Sequence, residues 1–115
     1  MHRAEIRLVD LDPTRGAEAN KRRPAVIVSN DAANMTATRL GRGMLTVVPV
    51  SSDVEAVYPF QVLLPARTAG LPKDSKAQAE QVRSIAVERI GELLGTVPGP
   101  VMASIDDALR LHLAL

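Results

Sequence analysis

Cysteine is absent from the 115 residues, which excludes disulfides and thiolate metal sites. Tryptophan is absent too, and Tyr58 and Phe60 are the only other aromatics, so the core must be built from Val, Leu, Ile and Ala. The two histidines, His2 and His112, stand at opposite ends of the chain and cannot form a closely spaced helical metal-ligand pair. No apolar run approaches the roughly 18 residues of a membrane span. Residues 1–20 carry Arg3, Glu5, Arg7, Asp10 and Asp12 without an apolar core segment, unlike a secretory signal. A cytoplasmic, metal-free, cofactor-free protein is the default expectation.

What is present fits one globular domain covering residues 1–115. The net charge of +1 hides an asymmetry. Residues 1–42 hold eight basic and five acidic side chains, a net +3, and the remainder six against eight, a net −2. That division suits a protein with one anion-binding surface. Arginines outnumber lysines 11 to 3, consistent with bidentate phosphate contacts or simply with the base composition of the gene.

Periodicity predicts mostly strands. Glu5 to Leu11 alternates Ile6 and Leu8 against Arg7 and Val9, then Asp12-Pro13-Thr14-Arg15-Gly16 stops it. Ala25 to Val28 reads as a buried strand, with Pro24 at its entrance biasing Arg23 towards extended angles. Further strands are expected at Met44–Val50, Phe60–Leu64 and Glu92–Val97, with Ser75–Ile85 as one bent strand or two short ones. Asp31 to Asn34 reads as one helical turn capped by Ser29 or Asn30. The tail is clearly helical from Pro100, with Val101, Ile105, Ala108, Leu109 and His112 at helical spacing. His112 therefore reads as structural. Many short strands and one terminal helix predict a compact barrel-like sheet.

Three polar clusters could carry chemistry. Lys21-Arg22-Arg23-Pro24 presents adjacent cations leading into a strand, fit to bind phosphate oxygens or to form a solvated loop. Ser51-Ser52-Asp53 places hydroxyls at a strand end, for a phosphate or for a local turn. Glu80-Gln81-Val82-Arg83-Ser84 is unusually polar for a strand; alternation would put Glu80, Val82 and Ser84 on one face. Taken singly, none of the three is decisive.

In order and spacing, these segments resemble the MazF/PemK family of toxin endoribonucleases. The likeness runs through Arg3-Ala4-Glu5-Ile6, Val9 to Pro13, Gly16-Ala17-Glu18, Arg23 to Asp31, Val48 to Ser52, Tyr58 to Val62 and Glu80 to Ile85. The segment Ala37 to Gly43 is most similar to actinobacterial members. The resemblance implies a mainly β, SH3-like small barrel with short helices and an amphipathic C-terminal helix. It also implies a homodimer, sequence-selective cutting of single-stranded RNA, and a cognate MazE-like antitoxin with an acidic tail. By position it makes Arg23, Ser51 and Glu80 catalytic, and Glu18, Asn20, Lys21, Arg22, Ser52, Gln78, Gln81 and Arg83 RNA-binding. Ser51 stands where most members have threonine, and Ala4 where glycine is common, the latter a change of little expected consequence. Gln78 replaces an arginine proposed as proton donor in the plasmid-borne branch, which leaves the general acid unassigned.

Such a nuclease makes RNA attack itself through its 2′-OH, giving a 2′,3′-cyclic phosphate and a 5′-OH. Glu80, partly withdrawn from water, would take the proton. Arg23, always charged, would steady the phosphorane, with Ser51 on a non-bridging oxygen. Arg83 would support Glu80. Tyr58 and Phe60 are expected to pack in the core. Two rivals share parts of this pattern. A CcdB-like gyrase poison would use the same fold but end in a tryptophan-containing segment, which Leu113-Ala114-Leu115 is not. A non-catalytic RNA-binding barrel would form a salt-dependent complex with intact RNA.

Overall fold

The structure, a computed structural model, describes residues 1–11 and 22–115. The turn expected at Asp12–Gly16 and the side chains of Glu18, Asn20 and Lys21 lie outside those residues.

Among the described residues, seven strands make one antiparallel sheet. They are β1 (Glu5–Asp10), β2 (Arg22–Ile27), β3 (Met44–Ser51), β4 (Gln61–Leu64), β5 (Ser75–Gln78), β6 (Arg83–Ala86) and β7 (Ile90–Thr96). The order is β4-β5-β3-β2-β1-β7, with β6 also paired to β3. Three α-helices, α1 (Asp31–Leu40), α2 (Ala66–Ala69) and α3 (Gly99–Leu113), accompany them among the described residues.

The central strands are buried on both sides, which explains their unbroken apolar runs. Alternation sends Ile6, Val26, Val48 and Val50 into one cluster with Leu64, Met102 and Ile105. Val9, Leu11, Ala25, Ile27, Leu45, Val47 and Ile85 form the other. Each fully buried aliphatic side chain stabilises the fold by about 1.5–3 kcal/mol. The expected alternation of Ile6 with Leu8 is corrected: Ile6 and Val9 are buried, three residues apart and on opposite faces. Irregularities in the β1–β7 pairing on both sides of Arg7 accompany this.

Two prolines mark where the sheet changes partners. β2 pairs with β1 from Arg22 onwards, but its ladder with β3 starts only at Ala25, after Pro24. β3 pairs with β6 through Val47 and with β5 from Val50. Pro49, which has no N–H to offer, lies in the gap between those partners. Opposite that gap the chain makes a three-residue 3-10 turn, Ala79–Gln81, instead of continuing as strand. The expected Ser75–Ile85 stretch is thus two short strands. The strand-like alternation expected from Glu80 onwards starts within the turn and is overturned there.

Helix α1 is ten residues long, not one turn. The Asn30 side chain accepts the Ala33 N–H at 2.8 Å, and Gly41 ends the helix in the left-handed region at φ 66°. Its buried face is Asn34 and Ala37. Asn34 is completely buried and satisfied: it donates to the Ser29 carbonyl at 2.8 Å and pairs with the Ser29 hydroxyl. Helix α3 begins at Gly99, one residue before Pro100, and buries Met102, Ile105 and Ala108. His112 is exposed, so its assignment to the packed stripe is corrected, and Leu111, Leu113 and Leu115 are exposed beside it.

Candidate nucleic-acid interface

The absence of pairing between β2 and β3 before Ala25, together with the 3-10 turn opposite Pro49, opens the sheet at the ends of β2, β3 and β5. Two clefts occupy this opening. One, about 360 Å³, is lined by Arg23, Ser51, Ser52, Lys73 and Ser75 against Pro24 and Leu71. The other, about 350 Å³, is lined by Gln78, Gln81 and Arg83 over Leu11 and Pro49. Arg23 and Val50 line both. The cationic side chain at the strand mouth is therefore the wall between them.

Each side chain is held by local chemistry. Arg23 pairs with Val9 across the β1–β2 ladder, which fixes its backbone, and its side chain is exposed. The Ser51 hydroxyl oxygen accepts the Asp53 N–H at 3.1 Å, and Asp53 in turn accepts the Glu55 N–H at 3.2 Å. The local turn and the phosphate-facing role are compatible, because this bond leaves the Ser51 hydroxyl proton free to donate. Arg83 donates to the Leu11 carbonyl at 2.8 Å. It supports the end of β1 rather than Glu80, and that expectation is corrected. Arg22 is exposed at the start of β2, in register with Asp10, and lines neither cleft.

Glu80 is the other departure. It sits in the 3-10 turn between Gln78 and Gln81 but lines neither cleft. Its Oε2 accepts the Gln61 side-chain N–H at 2.7 Å, and its buried Oε1 has no partner among the described residues. The structure brings Arg23 together with Ser51 and does not bring Glu80 to them in this arrangement. Tyr58 and Phe60 stack at 5.5 Å, but Tyr58 is 54% exposed and Phe60 half-buried, so neither is a core residue.

Two residues escaped the sequence reading. Lys73 lines the Ser51 cleft from the segment between α2 and β5. Gln61, buried in β4, joins Glu80 to the Tyr58 N–H, which it accepts at 3.2 Å. Its polar side chain within an apolar strand was the available signal. Among the described residues no cluster of three His, Cys, Asp or Glu could hold a metal, and no helix is long and apolar enough to cross a membrane.

Comparison with known proteins identifies the family and the fold. Endoribonuclease MazF9 of Mycobacterium tuberculosis is 64% identical over 115 residues, covering 100% of this chain and 98% of its own. Endoribonuclease EndoA of Bacillus subtilis is 27% identical over 98% of this chain and 94% of its own. The MazE–MazF crystal structure from Deinococcus radiodurans superposes with a TM-score of 0.79 at 28% identity, covering 100% of this chain and 96% of that one. The family model for PemK-like, MazF-like toxins of type II toxin–antitoxin systems matches residues 2–113, and this chain belongs to that family.

Proposed function

We propose that this chain is the endoribonuclease toxin of a type II toxin–antitoxin system, cutting single-stranded RNA through its own 2′-OH. The observation that carries the reading is the position of Arg23, a permanent cation walling two clefts that no described carboxylate lines. The 64% identical relative named as an endoribonuclease supports it and disfavours a gyrase poison.

The scissile phosphate lies against Arg23, with the Ser51 hydroxyl donating to a non-bridging oxygen. Donors aimed at the charge that develops on the phosphorane are worth about 10²–10³-fold in rate each. Glu80 takes the 2′-OH proton as that oxygen bonds to phosphorus. The bond from phosphorus to the 5′-oxygen breaks, and this oxygen takes up a proton to leave as a 5′-OH. For this step Glu80 exchanges its bond to Gln61 for one to the substrate. Glu18, Asn20, Lys21 and Arg22 bind the flanking strand. DNA, lacking the 2′-OH, is not cut.

Partners follow from the same surface. A MazE-like antitoxin with an acidic segment suits clefts lined by Arg23, Lys73 and Arg83. The exposed leucines ending α3 offer apolar surface for a second copy, giving a homodimer. The site of action is the cytoplasm, where the RNA is.

The test is incubation of the purified protein with a long RNA in EDTA, with mapping of the new 5′ ends and an Arg23→Ala control. Discrete cuts bearing 5′-OH ends are expected, and cutting slowed by about 10²–10³-fold in the control. A requirement for added magnesium, or unchanged cutting by Arg23→Ala, would overturn the mechanism.

A further inference from the structure

We infer that Lys73 is the general acid of this site, its ammonium giving a proton to the 5′-oxygen as that oxygen leaves phosphorus. This rests on the endoribonuclease reading above and fills the one role in that reaction that has no residue.

The leaving 5′-oxygen becomes an alkoxide unless a proton reaches it while its bond breaks. The donor must carry a proton at neutral pH and be able to lose it. Arg23 and Arg83 fail the second condition, because a guanidinium holds its proton to above about 12. The serine hydroxyls and the amides of Gln78 and Gln81 are no stronger acids than the alcohol that leaves. His2 and His112 line neither cleft. Among the described residues, Lys73 is the one cleft-lining group that meets both conditions. Its side chain is exposed and makes no ion pair among those residues. As the phosphorus–oxygen bond breaks, its electron pair passes to the 5′-oxygen, which takes the Nζ proton. The neutral amine then recovers a proton from water, and water takes the one held by Glu80.

Its place in the site fits the direction of the reaction. Displacement at phosphorus puts the entering and leaving oxygens on opposite sides, roughly in line. The phosphate rests on Arg23, the wall between the clefts. Glu80, the base, sits on the side of the second cleft, between Gln78 and Gln81, which line it. Lys73 lines only the first, with Ser51. Base and acid thus flank the phosphate. The backbone that carries Lys73 is held from both directions. Leu71 is buried in the core with Ile6 and Ile105, and Pro72 fixes its own φ. On the other side the buried Ser75 donates its hydroxyl to the Lys73 carbonyl at 3.1 Å. The carboxylate next in sequence, Asp74, accepts the Ala66 N–H of α2 at 2.9 Å and so does not hold the ammonium. A catalytic group needs such a rigid support.

The test replaces the 5′-oxygen at the cut by sulfur, because a thiolate leaves without needing a proton. In single-turnover cleavage of ordinary RNA, Lys73→Met should be slower by about 10²–10⁴-fold, the usual share of a general acid. On the sulfur-bridged RNA the same variant should cut at close to the wild-type rate, which also shows that it is folded. Lys73→Arg should resemble Lys73→Met on both substrates, since it keeps the charge but cannot give up the proton. Arg23→Ala should stay slow on both, because steadying the phosphorane does not depend on the leaving atom. Equal slowing of Lys73→Met on both substrates, or full activity of Lys73→Arg on ordinary RNA, overturns the assignment and leaves Lys73 a phosphate contact. Unimpaired cutting of ordinary RNA by Lys73→Met, or rescue of Arg23→Ala by sulfur, overturns it as well. A wild type that cuts neither RNA removes the endoribonuclease reading itself, and the role of Lys73 with it.

Discussion

Ala4 shows what one methyl group can cost. Its φ of 79° lies in the left-handed region, and both of its backbone groups are engaged there. Its N–H donates to the Ile27 carbonyl at 2.8 Å, and its carbonyl accepts the Val97 N–H at 2.9 Å. The conformation is held from two strands, so the strain stays. The replacement of glycine by Ala4 is therefore not the inconsequential change the sequence suggested. Ala4→Gly should stabilise the fold by about 1 kcal/mol, the steric cost of this region for a residue with a Cβ. Thermal unfolding would show it as a rise of about 4 °C; a lower melting temperature would mean that the alanine is unstrained. At the site, Arg23→Ala should lower kcat by about 10²–10³-fold. Arg23→Lys should recover only part of that loss, because an ammonium cannot make the two parallel bonds of a guanidinium. Ser51→Thr should keep activity and Ser51→Ala should not, since the hydroxyl, not the residue, does the work. Single-turnover cleavage of a short RNA measures all four; full recovery with lysine would show that charge alone is needed at this position.

Among the elements, α2 meets the far end of the sheet path without a ladder. β4 and β7 end that path, and α2, which follows β4, lies against β7. A Cβ on Gly95 would stand 1.9 Å from the Ala69 carbonyl oxygen, and one on Gly70 3.1 Å from that of Leu94. Backbone is thus packed directly on backbone, which only glycine permits. Gly95→Ala should force the two apart and destabilise the protein by about 3 kcal/mol, the upper range for overpacking. Chemical denaturation tests this, and an unchanged midpoint would mean the contact yields freely. None of this closure was legible beforehand. α2 is four residues, Ala-Arg-Thr-Ala, with no apolar period to betray it. The sequence shows only one turn of α1 because the helix buries Asn34 and Ala37, and burial of a paired asparagine leaves no hydrophobic signature. The long, strongly apolar β3 and the periodic α3 were legible, as were Arg23 and Ser51 at strand ends. The partner of Glu80 was not, because the 3-10 turn that aims it depends on a gap in pairing across the sheet.

For the molecule as a whole, the N-terminal residues act as a clasp. Arg3 donates to Asp106 in α3 and to the Val28 carbonyl at 2.9 Å, while its backbone N–H donates to Asp31 at 2.7 Å. Two residues on, Glu5 accepts from Arg7 at 2.9 and 3.0 Å, and Arg7 donates to the Gly91 carbonyl of β7 at 3.2 Å. One strand thereby binds β7, α3 and the start of α1 to the two cores. Burial by itself would push the Glu5 carboxyl up. The backbone bond at His2 and the Arg7 guanidinium outweigh it, and hold the group below its ordinary value of 4.5. A carboxylate with a depressed folded-state value adds stability that is complete above the unfolded value. That stability drains away as pH falls from about 4.5 through the folded value. Because β1, like β2 and β3, contributes to both cores, the loss should appear as global unfolding rather than fraying. Glu5→Gln should therefore be less stable than the wild type at neutral pH, and the gap should shrink as acid is added below about 4.5. Denaturant midpoints measured from pH 7 to 3 decide it: parallel curves across that range would show that the charge on Glu5 contributes nothing to the clasp.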